Sequence, residues 1–281
     1  MNNILALGNA ACNIVSSLEK YECYNIYRIQ NSGKSKKNNF IIPELGSAEE
    51  YELLEITKKI PFLKRIKQSV TFFVCGGSRS SSLSLKILQL LHEAGLSIEV
   101  VYFMPDIEFL SEEQVLLERT VRNVLQQYAR SGLFQEITLV SNTILENFVD
   151  SINVFEYYEQ INSIFCDSYH MTKVFKNTKP VISTFSKIRE SCRIKTMGVS
   201  SVECNEQLFS PFDNEVEILY YFGINEQKLK AHGELFREIT KNIKNKMTEE
   251  TKVYFGIYPT QYESDYVYVE YFSPKIQLTQ Q

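Results

Sequence analysis

No stretch of this 281-residue sequence holds an apolar run long enough to cross a membrane, and the N-terminal MNNILALGNAAC lacks the basic region and long apolar segment of a leader. A protein without a membrane span, resident in the cytoplasm, is expected. Cysteine is present six times, as Cys12, Cys23, Cys75, Cys166, Cys192 and Cys204, but with no CxxC pair and no histidine at metal-ligand spacing. That argues against a disulfide framework and a zinc site, and the thiols read as reduced and mostly buried. Histidine occurs only three times (His92, His170, His232), each in a helix-like segment without a suitable cysteine or carboxylate arrangement, which argues against a catalytic dyad or metal site. Tryptophan is absent; beside 17 tyrosines and 18 phenylalanines this decides nothing about mechanism. Excess positive charge is missing too: the net charge is −4, so there is no electrostatic reason for bulk nucleic-acid binding. Glycine is scarce at 11 residues, which makes its placement informative.

What is present is an ordinary globular composition, 44% hydrophobic and 23% charged, long enough for one large domain or two medium ones. Through the first half, short runs rich in Val, Ile, Phe and Tyr alternate with segments of helical period. Strands are expected near Ile4–Leu7, Asn25–Ile29, Val70–Val74, Ser97–Met104 and Glu136–Val140, with helices between them, which is the pattern of a parallel sheet covered on both faces. Ser111, followed by Glu112, Glu113 and Gln114, reads as a capped helix start, and Gly132 as that helix's end. From Asp150 to about Phe175 one long helix is expected, broken before Pro180. Beyond it a smaller α+β unit follows: a run near Ile194–Val199, a strand Val216–Phe222, a helix through Leu235, Phe236, Ile239 and Ile243, and strands Val253–Ile257 and Tyr266–Phe272. The last two flank the turn-prone PTQYESD and read as a hairpin. The polar, basic loop NSGKSKKNN, Asn31–Asn39, is of a kind that is usually just solvated.

The most pointed stretch is VTFFVCGGSRSSSLSLKILQLLHEAG, Val70–Gly95: a strand, a small-residue turn, and a helix with Leu83, Ile87, Leu90, Leu91 and Ala94 on one face. Such a junction converges backbone N–H groups at a helix's positive end, where phosphate binds. Gly76 and Gly77 let the backbone approach an anion, Ser78 and Ser80 to Ser82 add hydroxyls, and Arg79 adds a positive charge. A turn of this kind also serves simply to start a helix. The turn LGNAACNIV, Leu7–Val15, again joins strand to helix through small residues but lacks the three glycines of a dinucleotide fingerprint.

Taken in order, ILALGNAACNIVSSLEKY, IIPELGSAEE, the Val70 stretch and VVYFMPDIEFLSEEQ resemble the nucleotide-binding half of the FtsZ/tubulin superfamily of filament-forming GTPases. Gly8, Asn9, Ala10 and Asn13 stand in its first loop, Pro43-Glu44-Leu45-Gly46 in its third, and Cys75–Ser81 in place of its GGGTGTG phosphate loop. The segments Ile194–Phe236 and Lys252–Phe272, with Phe255-Gly256, resemble its C-terminal domain; the likeness ends near Pro274. The resemblance implies an α/β fold in which a Rossmann-like parallel-sheet GTPase domain (1–150) is joined by a long central helix (151–178) to a smaller α+β domain (179–274), with a tail (275–281). It implies GTP or GDP at Gly8, Asn9, Ala10, Asn13, Glu44, Gly46, Gly76, Gly77, Ser78, Arg79 and Ser80, Mg2+ with a triphosphate, Phe155 stacked on the base, and head-to-tail assembly with itself or a related filament protein.

The departures carry expectations of their own. Arg79 replaces a glycine and either points at the phosphates or occupies their space; Cys75 and Ser81 replace two more, where a positive φ would be strained. Glu159 and Gln160 stand where the family's base-reading amide or acid is expected, and Gln114 near where an arginine contacts nucleotide. In VISTFS, Val181–Ser186, Ser183 and Ser186 replace the two aspartates that serve hydrolysis in the neighbouring subunit. Impaired GTP hydrolysis is expected. A pseudo-GTPase adaptor or cap on a partner assembly is the alternative, and an NTPase with a relocated acid, drawn from Glu44, Glu49 or Asp106, is a third reading.

Overall fold

Runs such as NNILAL and SVTFFVC carry apolar residues at successive positions rather than alternate ones, and a strand of that kind must be covered on both faces. The computed structural model, which describes residues 2–56, 60–149, 155–231 and 233–278, places them in a parallel sheet. The chain divides into two compact units, Met1–Cys166 and Asp167–Gln281.

The first unit contains β1 (Asn2–Leu7), α1 (Asn9–Ser16), β2 (Tyr24–Gln30), β3 (Asn39–Ile41), α2 (Ala48–Leu53), β4 (Ser69–Cys75), α3 (Leu83–Glu93), β5 (Ser97–Met104), α4 (Glu112–Arg130), β6 (Glu136–Ser141), α5 (Asn142–Glu146) and the first half of α6 (Tyr157–Lys176). Its strand order is β3-β2-β1-β4-β5-β6, every neighbouring pair parallel. The order runs leftward from β1 and rightward from β4, so the sheet has a switch point between them. On the sheet lies Phe165 of α6, its ring edge-on to Phe103 at 4.9 Å and to Phe73 at 6.3 Å, all three buried. Ser111 and Gln114 close a reciprocal capping box on α4, and Gly132, at φ +85°, follows its last turn as expected.

The border between the units falls inside α6. This helix begins at Tyr157, after a turn at Phe155 and Glu156; the start expected near Asp150 lies outside the described residues. The second unit holds β7 (Ile182–Ser183), β8 (Ile194–Ser200), β9 (Gln207–Leu208), β10 (Glu217–Asn225), α7 (Glu226–Ala231), α8 (Leu235–Lys246), β11 (Lys252–Thr260) and β12 (Tyr266–Ser273). Its order is β8-β12-β10-β11-β7, with β9 also on β8. Past β12, Gln277 is buried and exchanges hydrogen bonds with the Asp213 backbone at 2.7 and 3.0 Å.

The hairpin expected from the last two strands does not form. β10 lies between them, parallel to β11 and antiparallel to β12. The reason is burial: Ile218, Tyr220, Phe222 and Ile224 enter one apolar cluster, and Leu219 and Tyr221 the cluster on the opposite face. A strand apolar on both faces takes the interior of a sheet. The β11–β12 connection bridges over its end, where the Asn225 side-chain amide donates to the Tyr262 carbonyl at 2.7 Å and the Asn225 backbone N–H donates to the Asp265 carboxylate at 3.3 Å.

Beneath α6 in this unit, Glu270 is buried with Lys195 at 2.7 Å, Lys176 at 2.8 Å and the donating Tyr221 hydroxyl at 2.7 Å. Burial pushes the Glu270 carboxyl up, but the two ammonium groups outweigh it and hold the group well below the usual carboxylate range. Five of the six cysteines are buried and none is in a disulfide, as the spacing suggests.

Candidate nucleotide site

In a doubly wound sheet, ligands bind beyond the carboxyl ends of the strands at the switch point. Here the two strands at that point are β1 and β4, and the turns that follow them are Gly8-Asn9 and Gly76–Ser80. The turns meet: a Cβ built on Gly8 would lie 3.3 Å from the Ser80 hydroxyl. Gly8, at φ +86°, donates to the Ile29 carbonyl at 2.8 Å and so turns the chain sharply off β1 into α1. Beside these turns a cleft of about 530 Å3 is lined by Asn9, Asn31, Ser32, Glu44, Leu45, Tyr51, Ser78, Arg79, Ser80, Ser111, Glu113 and Gln114.

Besides the start of α4, which contributes Ser111, Glu113 and Gln114, the cleft is bordered by the helix starts after β1 and β4. The first bond of α1 is from the Cys12 N–H to the Gly8 carbonyl, and the first bond after β4 is from Ser81 N–H to Ser78 O, in a 3₁₀ turn over Arg79–Ser82 that leads into α3. The N–H groups before these bonds are the unsatisfied donors that every helix start presents. Ser78 and Ser80 bring their hydroxyls within 3.3 Å of each other. Arg79 is exposed and makes no ion pair with a described residue.

The turn is held from below. Any Cβ on Gly76 would collide with the Tyr102 hydroxyl, and one on Gly77 would come within 2.9 Å of Leu110. Tyr102 donates to the Glu118 carbonyl at 3.3 Å, and Glu118 pairs with Arg122 at 2.8 Å, both side chains buried. Burial pushes the Glu118 carboxyl up, against the pull of Arg122. Burial likewise pushes the Cys12 and Cys75 thiols up to about 12, so neither is a nucleophile at neutral pH. The strain anticipated at Cys75 and Ser81 is absent, because the only described non-glycine residues with positive φ are Gln68, Cys204 and Asn214.

The third loop forms the opposite wall. Tyr51 of α2 donates its hydroxyl to the Pro43 carbonyl at 3.1 Å and accepts from Leu45 N–H at 3.2 Å and the Asn31 amide at 2.6 Å. Gly46 N–H donates to Glu50 at 2.8 Å. Asn9 accepts the Asn31 N–H at 3.1 Å and the Ser32 hydroxyl at 3.4 Å, tying the first loop to the end of β2.

Of the residues singled out in the sequence, Asn9, Glu44, Ser78, Arg79 and Ser80 line the cleft, with Gly8, Gly76 and Gly77 forming its turns and Gly46 beside it. Ala10, Asn13 and Glu159 are exposed and Phe155 is 95% exposed; none of the four lines it. Sequence reasoning missed Asn31, Ser32, Tyr51 and Glu113. Their signal was positional: Asn31 and Ser32 follow β2, next to β1, so they reach the same sheet edge. In the second unit, Ser183 and Ser186 are exposed on a segment whose strand, β7, pairs with β11, and Thr184 bonds both ways with the Phe255 backbone at 2.9 Å.

With this geometry in place, comparison with solved structures is decisive for the fold. Over 97% of its length the chain matches 92% of CetZ2 from Haloferax volcanii, solved as a GTPγS-bound protofilament, at TM-score 0.73 and 12% identity. It matches 88% of FtsZ from M. jannaschii over 97% of its length, at TM-score 0.69 and 11% identity. The chain has the FtsZ/tubulin fold. A third FtsZ-like structure, TubZ from Bacillus thuringiensis serovar israelensis in a GTPγS-form protofilament, matches over 96% of this chain and 85% of its own, at TM-score 0.72 and 11% identity. No family model matches the sequence, and no curated protein matches it significantly. The FtsZ likeness is therefore one of backbone, carried by element order.

Proposed function

We propose that this chain is a divergent tubulin/FtsZ-like cytoskeletal protein of the cytoplasm that assembles head to tail, binds GTP or GDP weakly in the β1–β4 cleft, and hydrolyses it poorly. One observation carries the reading: a complete phosphate-type turn, with glycines at its two closest approaches, coexists with Ser183 and Ser186 where the resemblance puts the hydrolytic acids. Serine does not polarise an attacking water as a carboxylate does, and losing a positioned general base lowers the rate by about 10²–10⁴.

Assembly is supported by the surfaces of each unit. Beside the cleft, Ile107, Phe109 and Leu116 are exposed among Glu108, Glu112 and Glu113. On α8 of the second unit, Phe236 is exposed beside the exposed Arg237, Lys241 and Lys244, which form no ion pair with a described residue, and Met247 is exposed just past its end. An acidic face and a basic one, each with apolar residues, suit a front-to-back contact between copies, which propagates when it does not close. The neighbours CetZ2 and TubZ were solved as protofilaments. Sedimentation with and without GTP, together with GTP turnover across protein concentrations, tests the proposal. Pelleting with little turnover is expected; a monomer under every condition, or turnover rising cooperatively with concentration, overturns it.

A second reading, a pseudo-GTPase that caps or adapts a partner assembly, is favoured by Glu44 and Glu113, whose carboxylates line the same cleft and oppose phosphate. On that reading no nucleotide raises the melting temperature, whereas a binder gains stability by mass action.

A further inference from the structure

We infer that Arg79 does the work a divalent cation would otherwise do in this cleft, so that a nucleoside di- or triphosphate is bound without a metal ion. The inference rests on the nucleotide reading above and deepens it.

The charge balance of the cleft sets the problem. Among the described residues that line it, Arg79 is the one cation, against Glu44 and Glu113. A polyphosphate entering it adds several negative charges, which the orphan N–H groups of two helix starts offset only in part. Neutralisation needs a cation at the phosphate turn. Arg79 is already there, flanked in sequence by Ser78 and Ser80, exposed in the lining of the cleft and paired with no described carboxylate. A guanidinium offers a planar fork of donors matched to phosphate oxygens.

The described residues give Mg2+ no preassembled cluster of protein ligands: no group of three or more His, Cys, Asp or Glu among them could hold a metal. The two cleft carboxylates sit on separate elements, Glu44 in the loop before α2 and Glu113 in the first turn of α4. The Arg79 guanidinium neutralises part of the phosphate charge in advance, which lowers what a metal bound mainly through phosphate oxygens adds to binding. Arg79 also stands on a side chain that reaches outward without strain, since its backbone φ is not positive.

The test is isothermal titration of the purified full chain with GDP and GTP, once in EDTA and once in Mg2+, for the wild type and for Arg79→Gly and Arg79→Lys. The wild type is expected to bind equally well in both buffers. Arg79→Gly is expected to lose about 10- to 100-fold in EDTA, the loss of a charge-assisted contact, and to recover part of it on adding Mg2+. Arg79→Lys, keeping charge but not the fork, falls between. Because Arg79 is exposed, circular dichroism should show all three chains folded alike. Wild-type binding abolished by EDTA, or Arg79→Gly binding as well as wild type in EDTA, overturns the inference and leaves the nucleotide reading standing. No binding of either nucleotide in either buffer overturns both.

Discussion

Gly76 illustrates how one residue can set the shape of a site. Its hydrogen atom faces the Tyr102 hydroxyl and the Glu118 Cγ so closely that a methyl group has no room. Gly76→Ala should therefore lower stability by about 1–3 kcal/mol, the usual range for overpacking, read from urea unfolding. Glu270 makes the same point for charge. Removing its charge in Glu270→Gln leaves Lys195 buried beside a neutral partner and should cost about 3–5 kcal/mol. Because its folded pKa is depressed, the stabilisation is complete above the ordinary value of 4.5 and is lost as pH falls through the folded value. The stability gap between wild type and Glu270→Gln should thus be full at neutral pH and narrow on acidification below that value. A gap that stays constant would show that Glu270 is not charged in the folded protein. Of these residues, the sequence singled out Gly76 by its place in a turn. It gave no hint of Glu270, which sits in the apolar run YVYVEYF and meets Lys176 and Lys195 only through folding.

At the scale of elements, the sequence is most legible where one local signal suffices. Of the parallel strands of the first unit, all but the short β3 are visible as apolar runs, and α4 as a cap followed by a periodic stripe. Ser111→Ala should cost about 1 kcal/mol of stability through loss of that cap, again measured in urea. Phe165 holds α6 against Phe73 and Phe103; Phe165→Ala should cost about 3–5 kcal/mol, and a smaller effect would mean that α6 is fixed elsewhere. The hairpin failed as an expectation because a short turn between two strands specifies that the chain reverses, not which strand fills the space between. That choice belongs to β10, buried on both faces. The cleft was half legible for the same reason. The loops after β1 and β4 were found, whereas Asn31 and Ser32 follow β2 in a polar stretch that reads as merely solvated, and Tyr51 and Glu113 come from helices whose approach to the loops is a tertiary matter.

For the whole molecule, the acidic rim of the cleft and the basic face of α8 give a prediction about assembly. Replacing Arg237, Lys241 and Lys244 by Glu should reduce the sedimented fraction while leaving the urea midpoint unchanged, since all three are exposed and form no ion pair with a described residue. Raising salt should weaken assembly of the wild type in the same direction, because exposed charges are screened within about 10 Å at 0.1 M. Sedimentation of the variant equal to wild type would place the contact on other surfaces.

The sequence by itself determined the order of elements and the chemistry of the turns, because hydrophobic period, caps and glycine placement act over a few neighbouring residues. Tertiary structure alone decided that β10 separates the final strands, that Lys176, Lys195 and Tyr221 converge on Glu270, and that Glu44, Glu113 and Arg79 line one cleft. Those are contacts between residues far apart in the chain, selected by burial of both faces of a sheet and by charge neutralisation in the interior, and no local pattern encodes them.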